Sequence, residues 1–167
     1  GRVKILFEGH IFWKLLKNAG YKPEQVIVNN PKYSNVLYPN WDRHQYKGGE
    51  AEWDRVSRAV ELCKLINADV ELALKSASYG SFQILGLNCQ SCGYETAHVM
   101  IADYNIRGEK AQLESFIRFV KSNGLDDELR SLNFTGFAKG YNGTAYRKNK
   151  YDEKLEQAYN HVSSNNL

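Results

Sequence analysis

The sequence predicts an α+β fold, predominantly α-helical, with a small β element near the N-terminus. Three observations lead there. An apolar, β-branched run opens the chain at Val3-Lys4-Ile5-Leu6-Phe7-Glu8. Apolar residues then recur at three- and four-residue steps in several later segments, the period of a half-buried helix. No repeat, linker or composition shift divides the 167 residues, so one domain over 1–167 is expected.

The elements follow in order. Val3 to Glu8 reads as a short buried strand that ends on an acidic residue. Gly9 permits a turn into a helix over Ile11 to Ala19, with Phe12, Leu15 and Leu16 on one face and Gly20 as the stop. Residues 21 to 49 look irregular, punctuated by Pro23, Pro31, Pro39 and Gly48-Gly49. A loop this long is uncommon without a purpose. It either faces a substrate or forms a surface excursion packed by Tyr33, Tyr38 and Trp41.

From Glu50 to Ile66 the pattern is helical, through Trp53, Val56, Val60 and Cys63. Asp69 can cap a short helix that ends near Ser76. Ser78 to Ile84 is a Gly-bearing turn followed by apolar residues. Helices are expected over Glu95 to Ile106, with Ala97, Ile101 and Tyr104 inward, and over Glu109 to Ser122, with Leu113, Phe116, Ile117 and Val120 inward. Shorter ones cover Asp126 to Leu132 and the segment of Phe134, Phe137 and Ala138. The last runs from Tyr151 to Val162.

Composition narrows the function classes. Hydrophobic residues at 43% and charged residues at 25% exclude a disordered chain. A net charge of +3 with no basic stripe gives a weak field that suits an anionic polymer, and it argues against nucleic acid as the partner. No apolar run is long enough to span a bilayer, so no stable membrane insertion is expected. The three cysteines, Cys63, Cys89 and Cys92, are an odd count that does not suggest a disulfide framework. Cys89-Gln-Ser-Cys92 could serve zinc or redox chemistry, but no second ligand pair stands at suitable spacing. No metal site is expected.

Three segments could carry chemistry. Glu8 ends an apolar strand, outside any solvated charge run. Apolar surroundings disfavour the charged carboxylate and raise its pKa, which suits acid–base work on a glycosidic bond. Equally, Glu8 could cap the following helix or pair with Arg2 or His10. His10 lies two residues on and shares the face of an extended chain, where it could tune Glu8, bind sugar or simply begin the helix. In the second segment, Gly80 allows close backbone approach to a ligand, and Gln83 offers a donor and an acceptor for sugar groups. In the third, the Tyr141 ring could stack on a sugar while the Asn142 amide binds hydroxyls. Taken alone, each of the last two segments reads first as an ordinary turn.

The order Lys4-Ile5-Leu6-Phe7-Glu8-Gly9-His10-Ile11-Phe12, then Ser78-Tyr79-Gly80-Ser81-Phe82-Gln83-Ile84-Leu85-Gly86, then Phe137-Ala138-Lys139-Gly140-Tyr141-Asn142-Gly143, closing with Tyr151-Asp152-Glu153-Lys154-Leu155, resembles the N-acetylmuramidase domain of phage endolysins, in the lysozyme-like superfamily. More distantly, Gly80 to Ile84 is similar to the Gly-x-x-Gln-Ile element of lytic transglycosylases and goose-type lysozymes.

This resemblance implies a lysozyme-like fold and hydrolysis of the β-1,4 bond between N-acetylmuramic acid and N-acetylglucosamine in peptidoglycan. It implies no cofactor. Glu8 would be a catalytic carboxylate, with Tyr79, Gln83, Tyr141 and Asn142 lining the cleft; His10 and Ser78, beside these residues in sequence, are further candidate substrate contacts. Asp42, Glu50 and Glu52 are candidates for a second carboxylate. Members of the family usually carry an upstream helix ending in a Glu-Ser pair, and this chain starts after that point. Glu8 is then either the acid itself or the second carboxylate of a site whose acid lies upstream. A lytic transglycosylase and a wall-binding module without turnover are the alternatives. The protein is expected to be a monomer, made in the host cytoplasm and acting on the cell wall after release.

Overall fold

A computed structural model describes residues 2–143 and 146–165. Its architecture is α+β and mostly helical. Within it the chain forms two compact units that meet in sequence at Phe116 and Ile117, a finer division than the one domain read from the sequence.

The first unit is built on a three-stranded antiparallel sheet, with β1 (Ile5–Phe7) beside β2 (Ala77–Tyr79) and β2 beside β3 (Ile84–Leu85). The register pairs Leu6 with Ser78 and Ser78 with Leu85. Side chains alternate across a strand. Ile5, Phe7, Ala77, Tyr79 and Ile84 are therefore buried, while Leu6, Ser78 and Leu85 stay half-exposed on the opposite face.

Helix α1 (Gly9–Asn18) follows β1 directly and buries Phe12 and Leu16. Phe7 and Phe12 meet edge to face at 6.0 Å. The segment expected to be irregular holds a further helix, α2 (Pro23–Asn29), with Pro23 in its first turn. Proline lacks an N–H that the first helical turn does not need, so Pro23 starts this helix where it was taken for a loop marker. Short 3₁₀ turns at Pro31–Tyr33 and Arg43–Gln45 order the rest. Then come α3 (Ala51–Leu65), α4 (Glu71–Leu74), α5 (Ala97–Arg107) and α6 (Glu109–Ser122). Asp69 accepts the Glu71 N–H at 2.9 Å, and Thr96 caps α5 through the Val99 N–H.

The buried face of α6 differs from the expected one. Val120 is buried as expected, but Ala111, Gln112 and Ser115 are buried with it, whereas Leu113 and Ile117 are 49% and 44% exposed. The strongest hydrophobes of this helix were chosen by size, and its buried stripe is set by small and amide side chains instead.

A buried ion pair ties these pieces together. Glu52 and Arg55, one turn apart on α3, lie 2.9 Å apart with almost no exposed surface. Arg55 uses all five of its N–H donors. They go to Glu52, to the Phe7 carbonyl, twice to the Asn35 carbonyl and to the Tyr38 hydroxyl. Glu52 accepts the backbone N–H of Phe7, Lys47 and Gly48 besides Arg55. One pair thus fixes β1, the turn at Asn35–Tyr38 and the loop before α3.

The second unit contains α7 (Asp126–Arg130), α8 (Phe134–Asn142), α9 (Tyr146–Asn149) and α10 (Tyr151–Asn165). Asn133 caps α8 by accepting the Gly136 N–H at 3.0 Å. Phe137 stacks on Tyr141 at 5.4 Å, and Phe119 meets Tyr141 edge to face at 5.5 Å. Gly140 leaves room for Leu125, which a Cβ there would meet at 2.3 Å. Among the described residues no helix is long and apolar enough to cross a membrane.

Removing one member of a buried, hydrogen-bonded ion pair strands the other charge. Arg55→Met is expected to lower unfolding stability by about 3–5 kcal/mol, read from urea denaturation. A loss below about 1 kcal/mol would show that the pair is not what holds β1 and the two loops.

Candidate active site

Glu8 ends β1 and immediately precedes α1. Its backbone N–H donates to the Ser76 carbonyl at 2.8 Å, so the strand pairing runs up to this residue. The side chain emerges on the face that Leu6 shares, away from the core, and is 17% exposed. It does not cap α1 and does not pair with Arg2, which binds Glu50 instead. Gly9 is required beside it: the Tyr38 hydroxyl accepts the Gly9 N–H at 3.2 Å, and a Cβ would lie 2.3 Å from the Tyr38 ring.

The Glu8 carboxyl is held on one side. The Tyr46 hydroxyl donates to Oε2 at 2.7 Å, and the Trp41 indole N–H donates to the Tyr46 oxygen at 2.7 Å. Oε1 makes no hydrogen bond among the described residues. Burial raises the Glu8 pKa from its ordinary 4.5, and nearby Glu52 adds to the rise; the Tyr46 bond and the Arg55 charge oppose it without cancelling it. A carboxyl with one tied oxygen, one open oxygen and a raised pKa is equipped to deliver a proton at its open edge.

His10 lies with Nδ1 3.4 Å from Glu8 Oε2, but this nitrogen is buried and makes no hydrogen bond. Burial first, and the Lys14 charge second, lower the His10 pKa. The ring is therefore neutral at neutral pH, and the pair is a close contact between neutral imidazole and carboxyl. Any sugar contact by His10 falls to Nε2.

The hairpin residues divide. Ser78 faces outward between Leu6 and Leu85, and its hydroxyl has no hydrogen bond among the described residues. Gln83 adopts φ 50° in the turn and donates its amide to the Gly80 carbonyl at 2.8 Å. Gly80 was expected to make room for a ligand. That room is filled by Gln112, whose Oε1 accepts the Ser81 N–H at 2.8 Å and lies 2.7 Å from where a Gly80 Cβ would be. Tyr79 is a correction. It was expected to line a cleft, yet it is fully buried and its hydroxyl donates to the Leu74 carbonyl at 2.8 Å. Strand alternation places it on the core face because Ser78 takes the outer one.

A groove of about 570 Å³ is lined by Leu6, Gly48, Gly49, Glu50, Trp53 and Gln83 together with the start of β1, and Glu8 is not part of its lining. Of the candidate second carboxylates, Glu50 lines this groove and binds Arg2. Asp42 caps the 3₁₀ turn through the His44 N–H and the Gln45 amide. Glu52 is excluded, because its oxygens are buried and fully engaged in the ion pair. Tyr141 and Asn142 end α8 in the second unit, Tyr141 half-buried and Asn142 exposed.

The cysteines take no part. All three are buried, and burial pushes the Cys63 thiol up to about 12 and raises Cys89 as well, which leaves little thiolate for redox chemistry. Among the described residues no group of three or more His, Cys, Asp or Glu could hold a metal ion. Sequence reasoning missed Tyr46, the residue that grips Glu8. A lone tyrosine in a mixed loop gives no signal, and only the pinning of Lys47 and Gly48 to Glu52 brings it to the strand end.

A raised carboxyl pKa carries a stability consequence with a definite sign. The folded protein binds the Glu8 proton more tightly than the unfolded chain does, so stability falls as pH rises from about 4.5 through the raised folded value. Glu8→Gln, which cannot ionise, is expected to melt higher than the parent at pH 7, with the difference closing below pH 4.5. A variant that melts lower at pH 7 would contradict the raised pKa.

Residues 1–163 match the family model described as Muramidase, N-acetylmuramidase. The chain is also similar to a solved structure, an endolysin of the Burkholderia phage AP3, with a TM-score of 0.81 and 32% sequence identity over 100% of this chain and 58% of that one. The chain thus spans a little over half the length of that endolysin. Among curated proteins no match was found.

Proposed function

The chain belongs to the N-acetylmuramidase family, and on that premise we propose that it hydrolyses the β-1,4 bond between N-acetylmuramic acid and N-acetylglucosamine in the glycan strands of peptidoglycan, with Glu8 as a catalytic carboxyl. The observation that carries this is the Glu8 side chain itself. It is half-buried at the end of β1, gripped at Oε2 by Tyr46, open at Oε1 and raised in pKa by its surroundings.

In this reading the protonated carboxyl donates to the glycosidic oxygen. The bond from that oxygen to the anomeric carbon breaks through an oxocarbenium-like transition state. Water adds at the anomeric carbon and its proton returns to the carboxylate, leaving a reducing muramic acid end and a free hydroxyl on the departing sugar. Ser78 and Gln83, on the outer face of the sheet and at its turn, offer polar groups to the strand. Tyr141, Asn142 and the His10 Nε2 are further proposed contacts. The substrate places the protein at the cell wall when it acts.

The test is release of soluble muropeptides from purified peptidoglycan, with the products identified by mass. Glu8→Gln is expected to reduce release by about 10²–10⁴-fold, the usual contribution of a positioned acid or base. Undiminished release by the variant would remove Glu8 from catalysis. Products with 1,6-anhydro ends would assign a lytic transglycosylase. A chain that sediments with the wall and releases nothing would be a binding module.

A further inference from the structure

Trp41 is 56% exposed, yet its one polar group is tied to a neighbouring side chain. A surface tryptophan ordinarily keeps its N–H toward water and its ring on protein. Here the reverse holds: the N–H is bound to the Tyr46 hydroxyl at 2.7 Å, and more than half of the side-chain surface is left to solvent. The ring also meets Tyr46 edge to face, with centroids 6.4 Å apart.

The segment that follows Trp41 is braced at both ends. Asp42 caps the 3₁₀ turn of Arg43–Gln45, and the Lys47 and Gly48 N–H groups are anchored on Glu52. An exposed aromatic face on a braced loop loses little freedom when it is covered, so binding there is inexpensive in entropy. That face is two hydrogen bonds from the carboxyl, through Tyr46 to Glu8 Oε2.

A pyranose fits this platform by its chemistry. Its axial C–H groups make one apolar face, and its hydroxyls lie at the rim, where they stay hydrated. We infer that Trp41 is a stacking subsite for one sugar ring of the glycan strand, and that its N–H, through Tyr46, fixes the orientation of the Glu8 carboxyl. This rests on the muramidase reading above. Trp41 binds, and Tyr46 is a positioning residue, acting only through Glu8.

The experiment is a depletion isotherm of the full chain on purified peptidoglycan, alongside steady-state clearing. Trp41→Ala is expected to weaken binding about tenfold, the equivalent of about 1.4 kcal/mol. Trp41→Phe keeps a ring and loses the N–H, so it is expected to recover most of the binding while kcat stays depressed and the basic limb of the pH–rate profile, set by loss of the Glu8 proton, moves. Tyr46→Phe is expected to move the same limb and leave the isotherm in place. Ile106→Ala, at a residue 82% exposed on α5, controls for loss of a surface hydrophobe and is expected to change nothing. An isotherm for Trp41→Ala that overlays the parent would overturn the subsite. A pH profile unmoved in both Trp41→Phe and Tyr46→Phe would overturn the positioning role. If the parent chain neither binds nor clears the wall, the muramidase reading falls, and this inference falls with it.

Discussion

The first unit depends on one buried contact, the Glu52–Arg55 ion pair. Charges taken out of water are expensive unless every donor and acceptor is matched. Here they are matched, and the partners come from three separate stretches of chain: the Phe7 backbone in β1, the Asn35 carbonyl and Tyr38 hydroxyl after α2, and the Lys47 and Gly48 N–H groups before α3. A hydrophobic pair of the same size could fill the space, but it could not choose those backbone groups. The pair is best understood as a register device. It tells the strand where to end and the loop where to return.

The candidate site inherits that register. Because Phe7 is bound through both its N–H and its carbonyl, the next residue leaves the strand at a fixed point, and that residue is Glu8. Because Lys47 and Gly48 are bound to the same carboxylate, Tyr46 is delivered to the Glu8 oxygen. The Arg55 guanidinium also lies over the rings of Phe7 and Tyr46, at 5.3 and 5.9 Å, so strand end and loop end share one cation as well as one anion. Glu8 itself is left poorly solvated, and that burial is what raises its carboxyl pKa.

Much of this was legible in the sequence because it is local. An apolar run with an acid at its end marked both β1 and Glu8. The three- and four-residue spacings marked α3, α5 and α6, with α6 ending at the residues expected. What was not legible depends on partners far along the chain. Pro23 was taken as a loop signal, since proline marks a loop and a helix start alike. Tyr79 was assigned to a cleft from a motif, but whether a strand residue faces in or out is decided by pairing with β1 and β3. Glu52 was weighed as a second carboxylate because nothing nearby shows that a buried arginine and three backbone N–H groups will claim it. The inward face of α6 was misjudged because Gln112 is buried to hold the hairpin turn at Ser81, a need that comes from the sheet and not from the helix.

The pairing of β1 with β2 joins residues separated by roughly seventy positions, and contacts that long are slow to close because chain entropy is lost before the contact rewards it. On a ribosome the consequence is a matter of timing. The segment bearing Glu8 leaves the exit tunnel early, but its strand partner and the helix that carries Glu52 and Arg55 come later. Until β2 has emerged, Glu8 is an ordinary hydrated carboxylate on an unpaired strand. An activity resting on this residue would therefore be absent from a growing chain until both α3 and β2 have emerged.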